Sequence, residues 1–187
     1  MSDTAVRAPD KAGRRFPKMP PPVRKAVLVL HVLSAVSWLG LTIGNMTLSV
    51  TATATTNPAV QVGLFHALDV FGEVLMIPVA WTAFATGLLV SLGTHWGLVR
   101  HKWVLTKFLI TSVTVLLTTF LLTPGFKELG DIADRTPPGQ LVDQAVGDTM
   151  GLIAPGIVSG TCYLTCLVLS IYKPWGRTRW GKRAGNR

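Results

Sequence analysis

Four long stretches of this 187-residue chain contain no aspartate, glutamate, lysine or arginine, and they limit its fold more than any other feature. A helix needs about 20 apolar residues to cross the hydrocarbon core of a bilayer, and each stretch is long enough for one crossing. The spans that they predict are residues 26–50, 64–92, 103–123 and 150–172. We therefore expect an all-α fold, a polytopic membrane protein whose four-helix transmembrane bundle occupies residues 26–172.

The composition excludes several other classes of protein. Charged residues make up only 14% of the chain, against about 25% in ordinary soluble proteins. With 49% hydrophobic residues and two cysteines, the chain fits neither a disordered segment nor a disulfide-stapled secreted domain. The sequence also contains no phosphate loop, nucleophile elbow or HExxH motif, so soluble-type nucleotide or hydrolase chemistry has no support.

Basic residues are concentrated on one predicted side of the membrane. Lys and Arg outnumber Asp and Glu by 18 to 9, and most of them lie in residues 1–25, 100–102 and 173–187. With four spans these segments share one face, which the excess of basic residues marks as cytoplasmic. We expect a cell-membrane protein with both termini cytoplasmic, a disordered basic tail at 1–25 and a second basic tail at 173–187. The tails should touch anionic lipid rather than nucleic acid, because no aromatic–basic interleaving or folded binding module accompanies them.

Small residues mark the helix faces that we expect to pack. Gly40 and Gly44 in the first span, and Gly156 and Gly160 in the fourth, follow a small-xxx-small spacing that lets membrane helices approach closely. We expect contacts within the bundle at these positions, with a second copy of the chain or another membrane protein as the alternative. The two cysteines of the fourth span suit neither a disulfide nor a zinc site and are expected to pack as small apolar residues.

A polar stripe runs along the first span on the side opposite its glycines. At about 100° per residue, His31, Trp38 and Asn45 share one face. Polar side chains are costly against lipid, so this face should turn toward the bundle interior. Lys107 lies at a matching depth in the third span, so the two ionisable groups are expected to meet inside the bundle. The alternative is that Lys107 extends to the headgroups and His31 bonds a backbone carbonyl.

A second group of ionisable residues opens the second span, at the opposite side of the membrane. His66, Asp69 and Glu73 fall within about 60° of one another on the predicted helix. An imidazole and two carboxylates are suited to hold a divalent metal ion or to relay protons. The alternative is that the carboxylates complement the positive end of the helix dipole, which applies better to Asp69 than to Glu73.

Two short motifs resemble known membrane families. The segment from His31 to Gly40 has the pattern His-x6-Trp-x-Gly, which resembles the first helix of HemJ-type protoporphyrinogen oxidases and of the membrane domain of copper-resistance protein D. The segment from Trp103 to Lys107 has a Trp-x3-Lys start that resembles the third helix of the HemJ type. The whole pattern is similar to a family of predicted four-helix integral membrane proteins of unknown function.

The HemJ resemblance implies a b-type haem in the bundle. It implies His31 as an axial ligand and Lys107 as a functionally required residue, and Trp38 of the same motif joins them at the expected cofactor site. The chain departs from the HemJ pattern at residues 44–46, where that family has an arginine. The likeness to copper-resistance protein D implies copper transport.

Three classes of function are compatible with these residues. The first is a haem-binding redox protein or oxidase, and the second is an ion- or proton-handling protein that uses His66, Asp69 and Glu73. The third is a non-catalytic membrane subunit or scaffold. The sequence does not decide whether the protein is an enzyme.

Overall fold

The computed structural model describes residues 19–94, 97–142, 149–176 and 178. Four long helices account for most of this part of the chain, which contains no β-strand. They are α1 (Pro21–Ala54), α2 (Pro58–Gly93), α3 (Lys102–Arg135) and α4 (Thr149–Tyr172). Each helix is long and apolar enough to cross a membrane. The prediction of an all-α bundle of four membrane-spanning helices is confirmed.

The short connections give the bundle two distinct ends. At the tail end, the start of α1, the α2–α3 connection and the end of α4 come together, and the backbone N–H of Thr178 donates to the Arg100 carbonyl at 2.8 Å. At the turn end, residues 55–57 join α1 to α2, and Asn57 caps α2 by accepting from the backbone N–H of Ala59. That the tail end faces the cytoplasm stays a prediction. The predicted tails, residues 1–25 and 173–187, lie largely outside the described residues.

Helices α2 and α3 are longer than a bilayer requires. At 36 residues, α2 extends about 54 Å at about 1.5 Å per residue, against a hydrocarbon core of about 30 Å. Their charge-free parts, residues 74–93 and 108–126, match that thickness. At the turn end, the charged parts of both helices, residues 58–73 and 127–135, therefore extend past the hydrocarbon. There α3 continues as helix beyond Thr123, where the sequence predicts that its span ends.

A π-helical segment precedes a proline in both of these helices. In α2 the segment Phe71–Met76 is followed by Pro78, and in α3 the segment Thr118–Leu122 is followed by Pro124. A proline normally interrupts a helix because it has no N–H to donate and its ring meets the preceding turn. The π segments change the hydrogen-bond register just before each proline, and both helices continue beyond it. Helix α3 accordingly continues past Pro124 to Arg135.

The turn end has its own apolar core. Buried apolar side chains from α1, α2, α3 and the segment after α3 meet there: Ala52, Phe65, Leu68, Met76, Phe126, Ala133 and Val142. Gln61, which is 0% exposed, connects three of these elements. Its side-chain amide donates to the Ala52 carbonyl at 3.1 Å and accepts from the backbone N–H of Val142 at 2.7 Å.

Within the membrane-spanning part, α1 turns a mostly polar face to the inside of the bundle and an apolar face to the outside. The buried residues of α1 are mostly polar: Ser34, Trp38, Thr42, Asn45, Ser49 and Ala52. Its exposed residues include Val29, Leu33 and Ile43, which suit contact with lipid. The expectation that the polar stripe of the first span faces the interior is confirmed.

The glycine pairs differ in what they contact. Gly156 of α4 lies against Met46 of α1, where an added Cβ would come within 3.3 Å of the Met46 side chain, and Gly44 lies near the Phe71 ring. Gly40 and Gly160 face open space within the described part of the chain. Only one glycine of each predicted pair therefore contributes to packing within the bundle. A second copy or another membrane protein at these faces stays a prediction.

Candidate functional site

His31 is held against α2 by a hydrogen bond and a close backbone approach. Its Nδ1 lies 3.1 Å from the Ala83 carbonyl oxygen and 3.2 Å from the Thr86 hydroxyl. A carbonyl can only accept, so Nδ1 carries a proton, and in the neutral form of the ring Nε2 keeps a lone pair. A Cβ on Gly87 would lie 2.9 Å from Cε1 of the ring, so the absence of a side chain at this residue lets the imidazole fit.

Lys107 is anchored to α4 at the same end of the bundle. Its ammonium group donates to the Ser170 hydroxyl, which in turn donates to the Cys166 carbonyl at 2.7 Å. The ammonium also lies 5.8 Å from the centre of the Trp103 ring, within reach of a cation–π interaction. The structure thus places both predicted groups at the tail end, His31 against α2 and Lys107 against α4, and no hydrogen bond joins them.

Trp38 belongs to a closed layer across the bundle interior. The layer consists of buried side chains from α1, α2 and α3: Trp38, Ala80, Ala83 and Val115. Tyr163 of α4 packs edge-on against Trp38, with the ring centres 5.0 Å apart. The Trp38 Nε1 and the Tyr163 hydroxyl are both buried, and neither has a hydrogen-bond partner among the described residues.

A small crevice lies on the turn-end side of this layer. Its polar lining consists of Thr42, Asn45, Ser49 and Ser159, and Met76, Phe126 and Pro155 are among its apolar neighbours. Asn45 is only 5% exposed. Its amide Nδ2 donates to the Met76 sulfur, whereas its Oδ1 finds no partner in the described part of the chain.

The three residues of the predicted metal site have different neighbours. His66 pairs with Asp134 across a distance of 3.3 Å, and Glu73 pairs with Lys127 across 3.7 Å. Asp69 has a buried carboxylate oxygen that is unpaired within the described ranges. No three His, Cys, Asp or Glu side chains among the described residues lie close enough together to hold a metal ion. The metal hypothesis stays a prediction that this geometry does not support.

The chemistry of the His31 imidazole suits the expected haem, but the packing of the bundle around His31 does not. A histidine that donates from Nδ1 to a backbone carbonyl and keeps Nε2 available has the orientation typical of metal-ligating histidines. However, the carbonyl in question belongs to Ala83, which is part of the closed layer. A porphyrin inside the bundle beside His31 would have to displace that layer.

Sequence reasoning missed several interior residues because nothing local in the sequence identifies their partners. Gln61 is a single amide in an apolar run, and Tyr163 and Ser159 are ordinary residues in a membrane helix. The position of Gln61 in a charge-free, apolar segment is a sequence signal that could have been used, since a lone amide in apolar surroundings needs hydrogen-bond partners. No protein-family model, curated protein or solved structure matches this chain.

Proposed function

We propose that this protein moves protons or small monovalent cations through the interior of its bundle. The observation that carries the proposal is a series of buried polar atoms without partners among the described residues. Six such atoms occur in the described part of the chain, and from the turn end toward the tail end five of them are Asp69 Oδ1, Thr123 Oγ1, Asn45 Oδ1, Trp38 Nε1 and the Tyr163 hydroxyl; the sixth, Thr94 Oγ1, follows the end of α2.

Buried polar atoms of this kind need an explanation in a membrane protein. Each unsatisfied polar group away from water costs a few kcal/mol, and polar groups inside membrane bundles commonly mark pathways for ions or protons. Buried hydroxyl groups that donate to a carbonyl of their own helix need no such explanation, because their hydrogen bonds are made locally. Ser34 donates to the Leu30 carbonyl and Thr42 to the Trp38 carbonyl. Local hydrogen bonding does not explain the five unpartnered atoms of the series, which would be satisfied by water or by a transported species.

Ionisable groups lie at both ends of this series, as a pathway requires. At the turn end, Asp69 and His66 flank Gly130 of α3, each within 3.8 Å of the position that a Cβ on this glycine would occupy. At the tail end, His31 contacts α2 and Lys107 contacts α4, and both side chains are partly buried. Carboxylate and imidazole groups take up and release protons and attract cations. Asp69 is therefore the proposed entry group at the turn end.

The proposal is tested by flux measurements on purified protein in liposomes. We expect an imposed membrane potential to drive proton or cation uptake, read by a trapped pH dye and by sodium and potassium dyes. Asp69→Asn should remove most of the flux because the amide cannot hold a proton or a full negative charge. Asp131→Asn is the matched control, since Asp131 is exposed on α3. Wild-type liposomes that pass no more protons, sodium or potassium than empty ones would contradict the proposal and favour the scaffold function.

Haem binding is the second candidate, and the hydrogen bond from His31 Nδ1 to Ala83 favours it. If Nε2 ligates haem b, protein purified from haem-replete cells should show a Soret band that shifts on reduction with dithionite. His31→Ala should remove this band. His66→Ala should retain it, because His66 lies at the turn end, paired with Asp134. Colourless wild-type protein would exclude this candidate.

A further inference from the structure

We propose that the tail end of the bundle binds the headgroup of an anionic phospholipid between the start of α3 and the end of α4. Lys107 and Ser170 join the two helices there by a hydrogen bond, and Lys173 directly follows α4. These three residues are called the headgroup site. The site is independent of the proposed function, because binding a lipid requires no movement of ions through the bundle.

The tail end carries a large excess of positive charge. Residues 11–68, 74–127 and 149–187 contain no aspartate or glutamate, whereas the ion pairs of His66 and Lys127 lie at the turn end. Such a charge distribution attracts anions to the tail end. The basic residues of the described tail end are Arg24, Lys25, Arg100, Lys102, Lys107 and Lys173.

Lys107 holds its charge at the edge of the hydrocarbon. It directly precedes the charge-free residues 108–126, which match the thickness of the hydrocarbon core. Its contacts are neutral, because the ammonium donates to the Ser170 hydroxyl and lies 5.8 Å from the centre of the Trp103 ring. An ammonium group has three hydrogens to donate. A lipid phosphate at the boundary can accept another of them and supply the opposite charge.

Main-chain hydrogen bonds hold the two halves of the headgroup site together. The backbone N–H of Lys102 donates to the Gly176 carbonyl at 3.5 Å, and that of Thr178 donates to the Arg100 carbonyl at 2.8 Å. The segment after α4 is thus paired with the segment that opens α3. This pairing limits how far the two lysines of the site can separate, so that little conformational freedom is lost when a ligand binds.

The backbone of Lys173 is unusual for a lysine. Its φ of 46° lies in the left-handed region, which ends many helices but is normally occupied by glycine or asparagine. The N–H of Lys173 donates to the Leu169 carbonyl at 3.2 Å and so closes the end of α4. Strained residues of this kind occur frequently where a ligand is held. The charge of Lys173 therefore lies where α4 leaves the hydrocarbon.

Apolar side chains beside these charges favour a lipid over a free phosphate ion. Ile171 and Tyr172, which precede Lys173, are 65% and 74% exposed, and Leu109, close to Lys107, is 55% exposed. A phospholipid carries acyl chains next to its phosphate, so it covers the apolar and the charged surface at once. A free phosphate ion would leave these apolar side chains exposed, and their contact with acyl chains is favourable.

Lys127 provides a matched control within the same helix. It lies at the other end of the charge-free residues 108–126, but its ammonium pairs with the Glu73 carboxylate across 3.7 Å. A lysine that already has an opposite charge gains less from a lipid phosphate. Replacing Lys127 with methionine makes the same chemical change as replacing Lys107, without removing a residue of the headgroup site.

Native mass spectrometry of the delipidated full chain, titrated with phosphatidylglycerol or phosphatidylcholine, tests the proposal. The first phosphatidylglycerol should bind more tightly than the first phosphatidylcholine. A basic residue near an anionic headgroup contributes about fivefold to affinity. Lys107→Met and Lys173→Met should therefore each weaken phosphatidylglycerol binding by about fivefold, and Lys127→Met should leave it unchanged. Thermal melting identifies a variant that has lost its fold, and Lys173→Met decides the outcome if Lys107→Met does not fold.

Three results would overturn the proposal. The first is equal affinity of the wild-type protein for the two lipids. The second is unchanged phosphatidylglycerol binding in the folded lysine variants of the site, or a loss in Lys127→Met that equals theirs. The third is displacement of the lipid by an equal concentration of glycerol 3-phosphate, which would mean that the site recognises the phosphate alone.

Discussion

Replacing Gln61 with methionine should locally destabilise the turn end of the bundle. Gln61 is 0% exposed, and its side chain satisfies two backbone groups at once, the carbonyl of Ala52 and the N–H of Val142. Ala52 lies in the last turn of α1, where carbonyl groups have no partner within the helix. Methionine has nearly the same length and volume as glutamine, so Gln61→Met removes the hydrogen bonds and leaves the packing nearly unchanged.

The magnitude follows from the two backbone groups that the substitution leaves unpaired. A buried donor or acceptor without its partner costs about 1–3 kcal/mol, so the loss of both destabilises the turn end by about 2–6 kcal/mol. The Val142 amide alone accounts for half of this. If the Val142 amide loses about 1–3 kcal/mol of stabilisation, its hydrogen exchange should accelerate by about 5- to 150-fold.

Hydrogen exchange read by mass spectrometry on protein in nanodiscs measures this effect. Peptides that cover residues 136–142 should exchange faster in Gln61→Met, while the tail ends of α1 and α4 keep their rates. Gln140→Met is the matched control, because Gln140 is exposed and the chemical change is identical. Equal exchange of residues 136–142 in the two variants would refute the reasoning, since it would mean that Gln61 does not hold Val142 against the bundle.

Two further predictions address the tail end and the orientation. Gly87→Ala should displace the His31 ring, since the new methyl group would lie 2.9 Å from its Cε1, and nitrogen nuclear magnetic resonance of the ring should detect the change. Gly63→Ala is the control because its Cβ meets nothing within 4 Å in the described structure, and an unshifted His31 signal in Gly87→Ala would contradict the close contact. A reporter fused after Arg187 should be cytoplasmic and one inserted near Gly130 should not, because the basic residues favour the cytoplasmic side. A non-cytoplasmic reporter at Arg187 would overturn the predicted orientation.

The sequence is sufficient to predict the parts of this fold that the bilayer itself enforces. Charged residues are excluded from hydrocarbon, so each of the four long helices contains a charge-free run long enough to cross it. The same penalty applies to polar side chains within a span, and it correctly predicts that Trp38 and Asn45 face the interior. Both predictions rest on the free energy of transferring a side chain out of water. This free energy depends on the residue type and its position along the helix, and not on its partners in the fold.

The partners of individual side chains could not be predicted in the same way. Helical spacing groups His66 with its neighbours Asp69 and Glu73, but the structure pairs it with Asp134 of α3. The pairing depends on how α2 and α3 cross near Gly130, and no local pattern encodes that crossing. Likewise the sequence predicts a third span that ends at Thr123, because a span is judged by its apolar residues, and this criterion does not show that the helix continues to Arg135.

The two halves of the bundle are stabilised by different forces, and this indicates where it can move. At the turn end α2 and α3 extend past the hydrocarbon, so burying Phe65, Leu68 and Phe126 there removes apolar surface from water and is stabilising. Inside the bilayer lipid is as apolar as the core, and helix association depends on packing and hydrogen bonds. The crevice lies at the boundary of the two regions, beside both π segments. Kinks in helices concentrate at prolines and π segments. We therefore expect the spanning helices to move relative to the turn end by bending at the crevice. This is also where the proposed pathway reaches the layer that contains Trp38.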